Sequence, residues 1–320
     1  MVRILRDVDL EGFVDVPEIV ARMEEGYRAD AAGEVVLLPR VRNEAAGVTL
    51  AWLGAALPSR DLLGYRTYLH GREGEDRGEQ AVTLYRHSDM SLRAIFVGRL
   101  VGNLRTGATL AAALHLLAPD AREIGLIGTG TQARNAAACV VATFHPSRLV
   151  VWSPDAGHRE KFRVWAHRTL RAEVEIASSA EGVASRCDSV LLATSADSPI
   201  LSADSLGGPR LLLSISAYRR PELDPRILDS VGTIWTDSVL QASAPGTLLA
   251  SPERRSKVRP LAEGLTDGAA RDRTVHRLVI NTGAGWEEVL AADALLRRAE
   301  TLGLGTPLDL PSAPPDAAVP

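Results

Sequence analysis

The sequence has few cysteines, no excess of basic residues and no long apolar run. Its two cysteines, Cys139 and Cys187, both lie in apolar stretches, so we expect no disulfide and interpret both as small core residues. The formal net charge of −4 offers no basic surface of the kind that binds nucleic acid. No apolar run approaches the roughly 20 residues that cross a bilayer. We therefore expect a cytoplasmic protein without nucleic-acid or membrane partners.

Several chemical signatures are also missing. His, Cys, Asp and Glu never occur with metal-ligand spacing, so no metal is expected. There is no nucleophile elbow and no internal repeat. A chain of 320 residues is long enough for two domains of roughly 100–200 residues each.

One stretch carries the clearest chemical signal. The segment 123–133 runs from an apolar strand through a glycine turn into an alanine-rich helix, in the pattern G-x-G-x-x-A. Gly128 permits the tight turn, Gly130 lets backbone amides approach a pyrophosphate, and Ala133 lets the helix pack closely. A helix over 131–143 would present its positive end to an anion. The pattern predicts a dinucleotide-binding unit; the alternative is a glycine turn that only closes a βα connection.

The spacing of apolar residues predicts an α/β fold. Residues 35–98 contain apolar runs separated by short turns, which is typical of a largely antiparallel sheet. From 122 to 236 strand and helix patterns alternate, which predicts a doubly wound parallel sheet with helices on both faces. A helix over 105–118 would connect the two parts. A last amphipathic helix, 286–302, is expected to pack back on the first part.

Two segments are expected to lack a regular fold. Residues 251–273 are rich in charge, glycine and proline and suggest a mobile excursion around a short helix. The proline-rich segment 306–320 is expected to be a disordered tail. His115 lies in an apolar helix, so we interpret it as a packed, hydrogen-bonded side chain rather than a functional one.

Several stretches together resemble the ornithine cyclodeaminase and mu-crystallin family of NAD(P)-dependent enzymes. The most specific pairing is Arg105-Thr106-Gly107-Ala108 at the head of a small-residue helix, followed by the Gly-Thr-Gly-Thr-Gln-Ala turn. Further matching segments are 39–40, 63–68, 221–224, 236–238 and 281–288. The resemblance implies a Rossmann domain and an N-terminal mixed α+β domain for substrate binding and dimerisation, hence a homodimer. The expected boundaries are 1–118 with 286–305 for the substrate-binding and dimerisation domain, and 119–285 for the Rossmann domain.

The resemblance also implies a site for a substrate carboxylate. In that family, positions matching Arg40, Arg66 and Arg105 surround this group, and guanidiniums suit it because they bind carboxylates bidentately. The family has a lysine where this chain has Arg66. Because arginine stays protonated, we expect no proton shuttle there. Cyclodeaminases have an aspartate where this chain has Tyr218, whose phenol either donates a proton to an imine or carbonyl or caps the sheet edge.

The expected cofactor is NAD(P)(H), with NADP(H) favoured. Ser153 stands at the strand end where an acid would bind the ribose 2′-hydroxyl, and His158 and Arg159 follow, which suits a 2′-phosphate. Asp155, two residues after Ser153, would suit the ribose 2′-hydroxyl instead, so NAD(H) remains an alternative cofactor. The other predicted cofactor-binding residues are Thr106, Gly128, Thr129, Gly130, Thr131, Gln132, Thr194 and Ser195. Thr106, Thr194 and Ser195 stand at helix or loop starts, where the ordinary alternative role of such residues is helix capping.

Residues and resemblance together predict an NAD(P)-dependent oxidoreductase acting on the C–N bond of a small amino or imino acid. It would be of the imine or ketimine reductase or amino-acid dehydrogenase type, with Arg40, Arg66, Arg105 and Tyr218 as catalytic residues. One alternative is a cyclodeaminase-type lyase that uses NAD catalytically, or a related condensing enzyme that forms a diamino acid. Another is a non-catalytic cofactor-binding protein of crystallin type.

Overall fold

The computed structural model describes residues 2–71 and 79–309, which contain fifteen strands and eleven α-helices. The strands are β1 (Val2–Arg6), β2 (Val36–Ala45), β3 (Val48–Leu57), β4 (Leu62–His70), β5 (Gln80–Arg86), β6 (Leu92–Val97), β7 (Glu123–Ile127), β8 (Arg148–Trp152), β9 (Val174–Ile176), β10 (Ser189–Leu192), β11 (Leu211–Ser214), β12 (Ile234–Thr236), β13 (Val258–Pro260), β14 (Arg277–Ile280) and β15 (Thr306–Leu308). The helices are α1 (Asp7–Leu10), α2 (Val16–Ala31), α3 (Leu100–Leu117), α4 (Thr131–Phe144), α5 (Ala156–Trp165), α6 (Ala180–Arg186), α7 (Pro225–Ser230), α8 (Val239–Ala242), α9 (Pro252–Arg255), α10 (Leu261–Asp267) and α11 (Gly285–Leu302).

Sheet A has seven strands in the order β15-β1-β6-β5-β4-β3-β2. Neighbours from β6 to β2 are antiparallel, and only β1 and β6 pair in parallel. The largely antiparallel sheet predicted for residues 35–98 is therefore confirmed in the part of that range that the structure describes. Helix α11 packs across β3, β4 and β5 and against α2 and α3, so one face of sheet A is covered by helices.

Helix α11 is held against the first helices by a buried aromatic contact. Trp286 is fully buried and meets Tyr27 edge to face, with ring centroids 5.1 Å apart. A Cβ on Gly26 would lie 2.2 Å from the Trp286 ring, so only glycine fits beneath it. The return of the last helix to the first part of the chain, predicted from its apolar face, is confirmed.

Sheet B has eight parallel strands in the order β13-β12-β14-β11-β10-β7-β8-β9. Its central strands are apolar and fully buried, as expected for strands covered on both faces. The chain order reverses between β7 and β10, which makes their carboxyl ends a topological switch point, where ligands of such sheets bind. The predicted doubly wound parallel sheet is confirmed.

Two segments predicted to be irregular form structure instead. Residues 251–273 include α9, α10 and the edge strand β13, whose buried Val258 pairs with Ile234. Residues 306–308 form β15, which pairs antiparallel with β1; residues 310–320 lie outside the described part of the chain. Three-residue strands are too short to show a period, and they exist because a neighbouring strand supplies their hydrogen bonds.

The helix predicted to start at residue 105 starts at Leu100. Its first amides are capped from a distance: the carboxylate of Asp7 accepts from the backbone N–H of Arg99 at 2.7 Å and of Leu100 at 3.0 Å. A cap that comes from a residue so far back in the chain leaves no local signal in the sequence. Within residues 2–71 and 79–309, no helix combines the length and hydropathy needed to traverse a bilayer.

Candidate functional site

A cleft of 620 Å³ opens at the switch point of sheet B. Gly128 forms its floor with φ +116°, and a Cβ there would lie 2.2 Å from the carbonyl oxygen of Ala193 on the next strand. A Cβ on Gly130 would meet nothing within 4 Å. Gly130 is also the N-cap of α4 and has no side chain to occupy the first amides of the helix, so those amides are available to an anion. This cradle fits the phosphates of a dinucleotide.

Most of the predicted cofactor-binding residues line this cleft: Gly128, Thr129, Gly130, Thr131, Gln132, Ser153, Thr194 and Ser195. The Thr129 hydroxyl donates to the Ser153 hydroxyl at 3.1 Å, which joins the glycine turn to the end of β8. Gln132 Nε2 donates to Asn103 Oδ1 at 3.0 Å. Asn103 and Arg99 also line the cleft. They were missed because the helix was predicted to begin after them.

The remaining predicted cofactor residues are placed differently. Thr106 does not line the cleft, and its hydroxyl donates to the Gly102 carbonyl oxygen at 2.8 Å within α3. The Arg159 guanidinium donates to the carbonyl oxygens of Ser153 and Pro154 at the end of β8, beside the cleft and outside its lining. The structure therefore brings neither side chain to the cleft wall.

Thr194 lines the cleft, but its hydroxyl is already engaged. It donates to Glu222, a fully buried carboxylate that also accepts from the Ser214 hydroxyl. The Thr194 Cγ2 methyl lies 3.6 Å from where a Cβ on Gly128 would be. The side chain therefore packs its methyl against the glycine turn, while Glu222 fixes its orientation.

Three guanidiniums converge beside this cleft, at the start of α11. Arg105 is buried and donates from Nε to Glu288 Oε1 at 2.9 Å. Arg66 donates from Nη1 to the same oxygen at 2.7 Å, and its other Nη donates to Gln80. Arg40 reaches the same place from β2. The guanidiniums of Arg40, Arg66 and Arg105 are called the arginine cluster below.

Gly283 is the meeting point of Arg40 and Arg105. Arg40 Nη2 donates to the Gly283 carbonyl oxygen at 2.8 Å. A Cβ on Gly283, whose φ is +80°, would lie 2.6 Å from Arg105 Nη1 and 2.9 Å from Arg40 Nη2. A side chain at this position would fill the space that the two guanidiniums face, so the glycine keeps the cluster open.

Two buried glutamates neutralise part of the cluster. Glu287 and Glu288 are fully buried at the N-terminus of α11. Burial opposes ionisation of Glu288, but Arg105 and Arg66 outweigh it and lower its pKa. Glu287 Oε2 accepts from Arg105 Nη1 at 2.8 Å. Acids at the start of a helix ordinarily offset the helix dipole. Nothing local in the sequence shows that these two have distant arginine partners.

Glu287 has a second, acidic neighbour. Burial raises the pKa of Glu287 to about 8 in spite of Arg105, and the neighbouring Asp237 carboxylate adds to the shift. Asp237 Oδ1 accepts from the Thr282 backbone N–H at 2.6 Å, whereas Oδ2 has no hydrogen-bond donor among the described residues. A proton on Glu287 fills that gap. With Glu287 neutral at pH 7, the carboxylate that Arg66 and Arg105 bind is Glu288, and the three guanidiniums keep a net positive charge.

Helix α3 joins the arginine cluster to the cleft. A Cβ on Gly102 would lie 2.4 Å from Arg66 Nη1, so Arg66 crosses the helix at this residue. The next residue, Asn103, lines the cleft, and Arg105 follows within the same turn. A small acid held by the cluster would thus lie beside the cleft at the switch point.

Tyr218 lies on the loop that follows β11. The side chain is buried and forms no hydrogen bond with any described residue, while its carbonyl oxygen accepts from the Leu248 N–H at 2.7 Å. Tyr218 is close enough to Arg42 to influence its charge. Ile215, earlier in the same loop, lines the cleft. Tyr218 itself is not among the residues that line the cleft.

His115 and the two cysteines lie away from this site. His115 Nδ1 lies 2.6 Å from Glu24 Oε1 of α2, which confirms a hydrogen-bonded histidine; its partner is an acid on a distant helix. Burial raises the pKa of the thiols of Cys139 to about 12 and of Cys187 to about 11, and both are unpaired. No group of His, Cys, Asp and Glu in the described residues is arranged to hold a metal.

A parallel sheet with a glycine cradle at its switch point, and a cationic cluster beside it, define the class of NAD(P)-dependent oxidoreductases with a Rossmann-type sheet. Within that class, the sequence signature of the Ornithine cyclodeaminase/mu-crystallin family matches residues 1–294. The chain belongs to this family.

Relatives of the chain include reductases and a cyclodeaminase. It is 28% identical over 305 residues to the Delta(1)-pyrroline-2-carboxylate/Delta(1)-piperideine-2-carboxylate reductase of Azospirillum brasilense, covering 91% of this chain and 95% of that protein. It is 30% identical over 241 residues to the L-lysine cyclodeaminase of Streptomyces rapamycinicus, covering 72% and 68%. The fold is similar to that of Thermococcus litoralis Delta(1)-pyrroline-2-carboxylate reductase in complex with NADH and L-proline, with TM-score 0.84, 19% identity and coverage of 96% and 100%.

Proposed function

We propose that the protein is an NAD(P)H-dependent reductase of α-imino acids. The observation that carries this proposal is the position of the arginine cluster: Arg66 crosses α3 at Gly102, next to the cleft-lining residue Asn103. A carboxylate bound there would hold its α-carbon at the mouth of the cleft. The reductase among the relatives that spans nearly the whole chain supports the same reaction class.

In this proposal the protein binds and orients the imino acid. Arg40 and Arg105 bind the carboxylate around Gly283, and Arg66 fixes the plane of the imine. The bound nicotinamide supplies the hydride to the imine carbon and is oxidised. A proton reaches the nitrogen, so that C=N becomes CH–NH. Because arginine holds its proton, we assign the donation to the Tyr218 phenol.

The composition of the cluster favours reduction over cyclodeamination. The chain has only two lysines, Lys161 and Lys257, and neither lies among the residues described around the cluster. The lysine that the family has at the position of Arg66 accepts and releases protons when buried, and arginine does not. Because one relative is a lysine cyclodeaminase, the assay must be able to detect that reaction.

For the cofactor we propose NADP(H) as the preferred form. His158 lines the cleft, and Arg159 lies at the end of β8, where the ribose of the cofactor would be. The Asp155 carboxylate accepts from the His158 backbone N–H at 2.6 Å as the cap of α5. This hydrogen bond lowers the pKa of Asp155 and occupies one of its oxygens, which leaves less of it to bind a ribose hydroxyl.

We also propose two domains, 1–118 with 286–305 and 119–285, and a homodimer. The support for a dimer is the face of sheet A opposite α11. Tyr65 and Tyr85 stack on that face with ring centroids 6.2 Å apart, and Leu50 and Leu69 are exposed on it. An apolar sheet face of this kind suits a second copy of the chain. Analytical ultracentrifugation of the protein and of a Tyr65→Asp variant tests this: a monomeric wild type would contradict it.

The proposed reaction is tested by following oxidation of NADPH and NADH with cyclic imino acids and with 2-oxo acids plus ammonia. We expect oxidation of the cofactor that depends on the imine and falls at least tenfold in Arg40→Gln. Ammonia release from ornithine or lysine without net change in nicotinamide absorbance would identify a cyclodeaminase instead. Tight cofactor binding by calorimetry with no turnover of any of these compounds would identify a non-catalytic binding protein.

A further inference from the structure

Arg42 lies two residues beyond Arg40 on β2, on the face of the sheet that carries the site. It pairs with Ala51, which in turn pairs with Tyr68, and directly opposed residues project from the same face. Tyr68 lies under the Arg66 guanidinium, 4.8 Å from its ring centroid. Arg42 therefore points to the region next to the arginine cluster, across the small side chain of Ala51.

The guanidinium of Arg42 has no hydrogen bond or ion pair with any residue in 2–71 or 79–309. Burial of part of its side chain, with the nearby charges of Arg40 and Arg219, lowers the pKa of Arg42. Its outer part remains exposed to solvent. A guanidinium held among other guanidiniums is unfavourable unless an anion joins them.

Arg219 lies near enough to Arg42 for its charge to help lower the pKa of Arg42. It lies on the turn after β11, where its backbone N–H donates to the Ser216 carbonyl oxygen at 2.8 Å. The adjacent Arg220 binds the Ser195 carbonyl oxygen at 3.0 Å and the Asp197 carboxylate. Arg219 makes no such contact with a described residue. Arg220 thus serves the structure of the loop, whereas the guanidinium of Arg219 has no partner among the described residues.

Given the imine reductase proposed above, we infer that Arg42 and Arg219 bind a second carboxylate, at the end of the substrate side chain. The substrate is then the acyclic imine of a dicarboxylic 2-oxo acid. Two residues of extended chain span at most about 7 Å, and β2 is irregular between Leu38 and Val41. Arg40 and Arg42 are therefore close enough to bind the two carboxylates of one short dicarboxylic acid. A cyclic imino acid would instead place ring methylenes against two unpaired guanidiniums and strip water from them without compensation.

The experiment compares oxaloacetate plus ammonia and 2-oxoglutarate plus ammonia with pyruvate plus ammonia and with Δ1-pyrroline-2-carboxylate. We expect kcat/KM for a dicarboxylic imine to exceed that for the other two at least tenfold. Arg42→Gln and Arg219→Gln should each raise KM for the dicarboxylic imine about tenfold or more, and change it little for the imine of pyruvate. Arg28→Gln on α2, an exposed arginine paired with Glu24, removes one charge elsewhere and should change neither.

Failure of this inference differs from failure of the proposed reaction. If Δ1-pyrroline-2-carboxylate is the best substrate and the two variants treat all imines alike, the second carboxylate site is wrong while the reductase stands. If no imine is reduced, binding of L-glutamate and L-alanine to the protein with NADP+ is measured by calorimetry. Preference for L-glutamate that is lost in Arg42→Gln would then support the site, and equal or absent binding would overturn it.

Discussion

Arg105 Nη1 donates a hydrogen bond to Glu287 Oε2 at 2.8 Å, although the pKa of that glutamate is raised to about 8. A buried arginine is thus hydrogen-bonded to a carboxyl group that is neutral at pH 7. Burial is the main reason, and Asp237 adds to it because two acids that share a buried space cannot both ionise cheaply. Of the two glutamates that Arg105 binds, only Glu288 therefore offsets the positive charge of Arg105 at pH 7.

This relationship predicts a pH dependence of substrate binding. Below about pH 8 Glu287 carries its proton, and above it the cluster gains a negative charge that weakens binding of a carboxylate. We expect KM for the imino acid to rise as pH increases through about 8, with little change in KM for the cofactor. In Glu287→Gln, which remains neutral, KM should stay flat over the same range. Equal profiles for both proteins would refute the assignment.

The same group predicts a pH dependence of stability. The pKa of Glu287 is raised by folding from an ordinary value near 4.5, so the folded protein binds more protons than the unfolded chain between those two values. The contribution of Glu287 is present in full below about pH 4.5 and is lost as pH rises to about 8. Urea unfolding of the wild type and of Glu287→Gln should show a difference in free energy that changes across this window. Parallel curves would show that Glu287 does not titrate there.

Arg40 offers the mildest test of the arginine cluster. It is half-buried and makes one described hydrogen bond, to the Gly283 carbonyl oxygen, so its removal leaves no buried carboxylate without a partner. Hydrogen bonds to charged groups contribute about 1.5–3 kcal/mol, which corresponds to a rise in KM of roughly tenfold or more. We expect Arg40→Gln to show this rise while its thermal midpoint stays near that of the wild type. A large loss of stability would instead mean that Arg40 holds the fold together.

Two glycines of α3 should separate activity from stability. A Cβ on Gly102 would lie 2.4 Å from the flexible end of Arg66, whereas a Cβ on Gly107 would lie 2.5 Å from the backbone of Asn135 in α4. Gly102→Ala should therefore displace Arg66 and lower kcat/KM in a folded protein. Gly107→Ala should push α3 and α4 apart and lower the unfolding temperature. Circular dichroism melts alongside steady-state kinetics measure both, and the reverse pattern would contradict the geometry.

Arg159 tests the choice of cofactor. Its guanidinium lies on the carbonyl oxygens at the end of β8, from which it must turn outward to meet a 2′-phosphate. We expect Arg159→Gln to raise KM for NADPH about tenfold and to leave KM for NADH unchanged. A variant with the same loss for both cofactors would show that Arg159 only supports the strand end.

The elements with strong periodic patterns were predictable, and so was the cradle. The turn at Gly128 and Gly130 and the alternation that builds sheet B are local features, each set by residues next to one another in the chain. The cluster of Arg40, Arg66 and Arg105 was predicted only through the family resemblance, because tertiary contacts bring the three side chains together. No local pattern brings residues of β2, β4 and α3 together at the start of α11.

What could not be predicted depends on distant partners. Glu287 and Glu288 looked like ordinary acids at a helix start, and their burial against Arg105 and Arg66 appears only when α11 packs on α3. Asn103 was missed for a related reason, since the cap of its helix comes from Asp7. In each case the deciding contact joins residues far apart in sequence, where propensity carries no information.

The cap on α3 also ties the amino end of the protein to its chemistry. Asp7 touches neither the cleft nor the arginines, yet it anchors the helix whose opening turn presents Asn103 and Arg105. Removal of β1, or a fusion that displaces it, would loosen this anchor. The cleft-lining Asn103 and the arginine cluster would then be disturbed together.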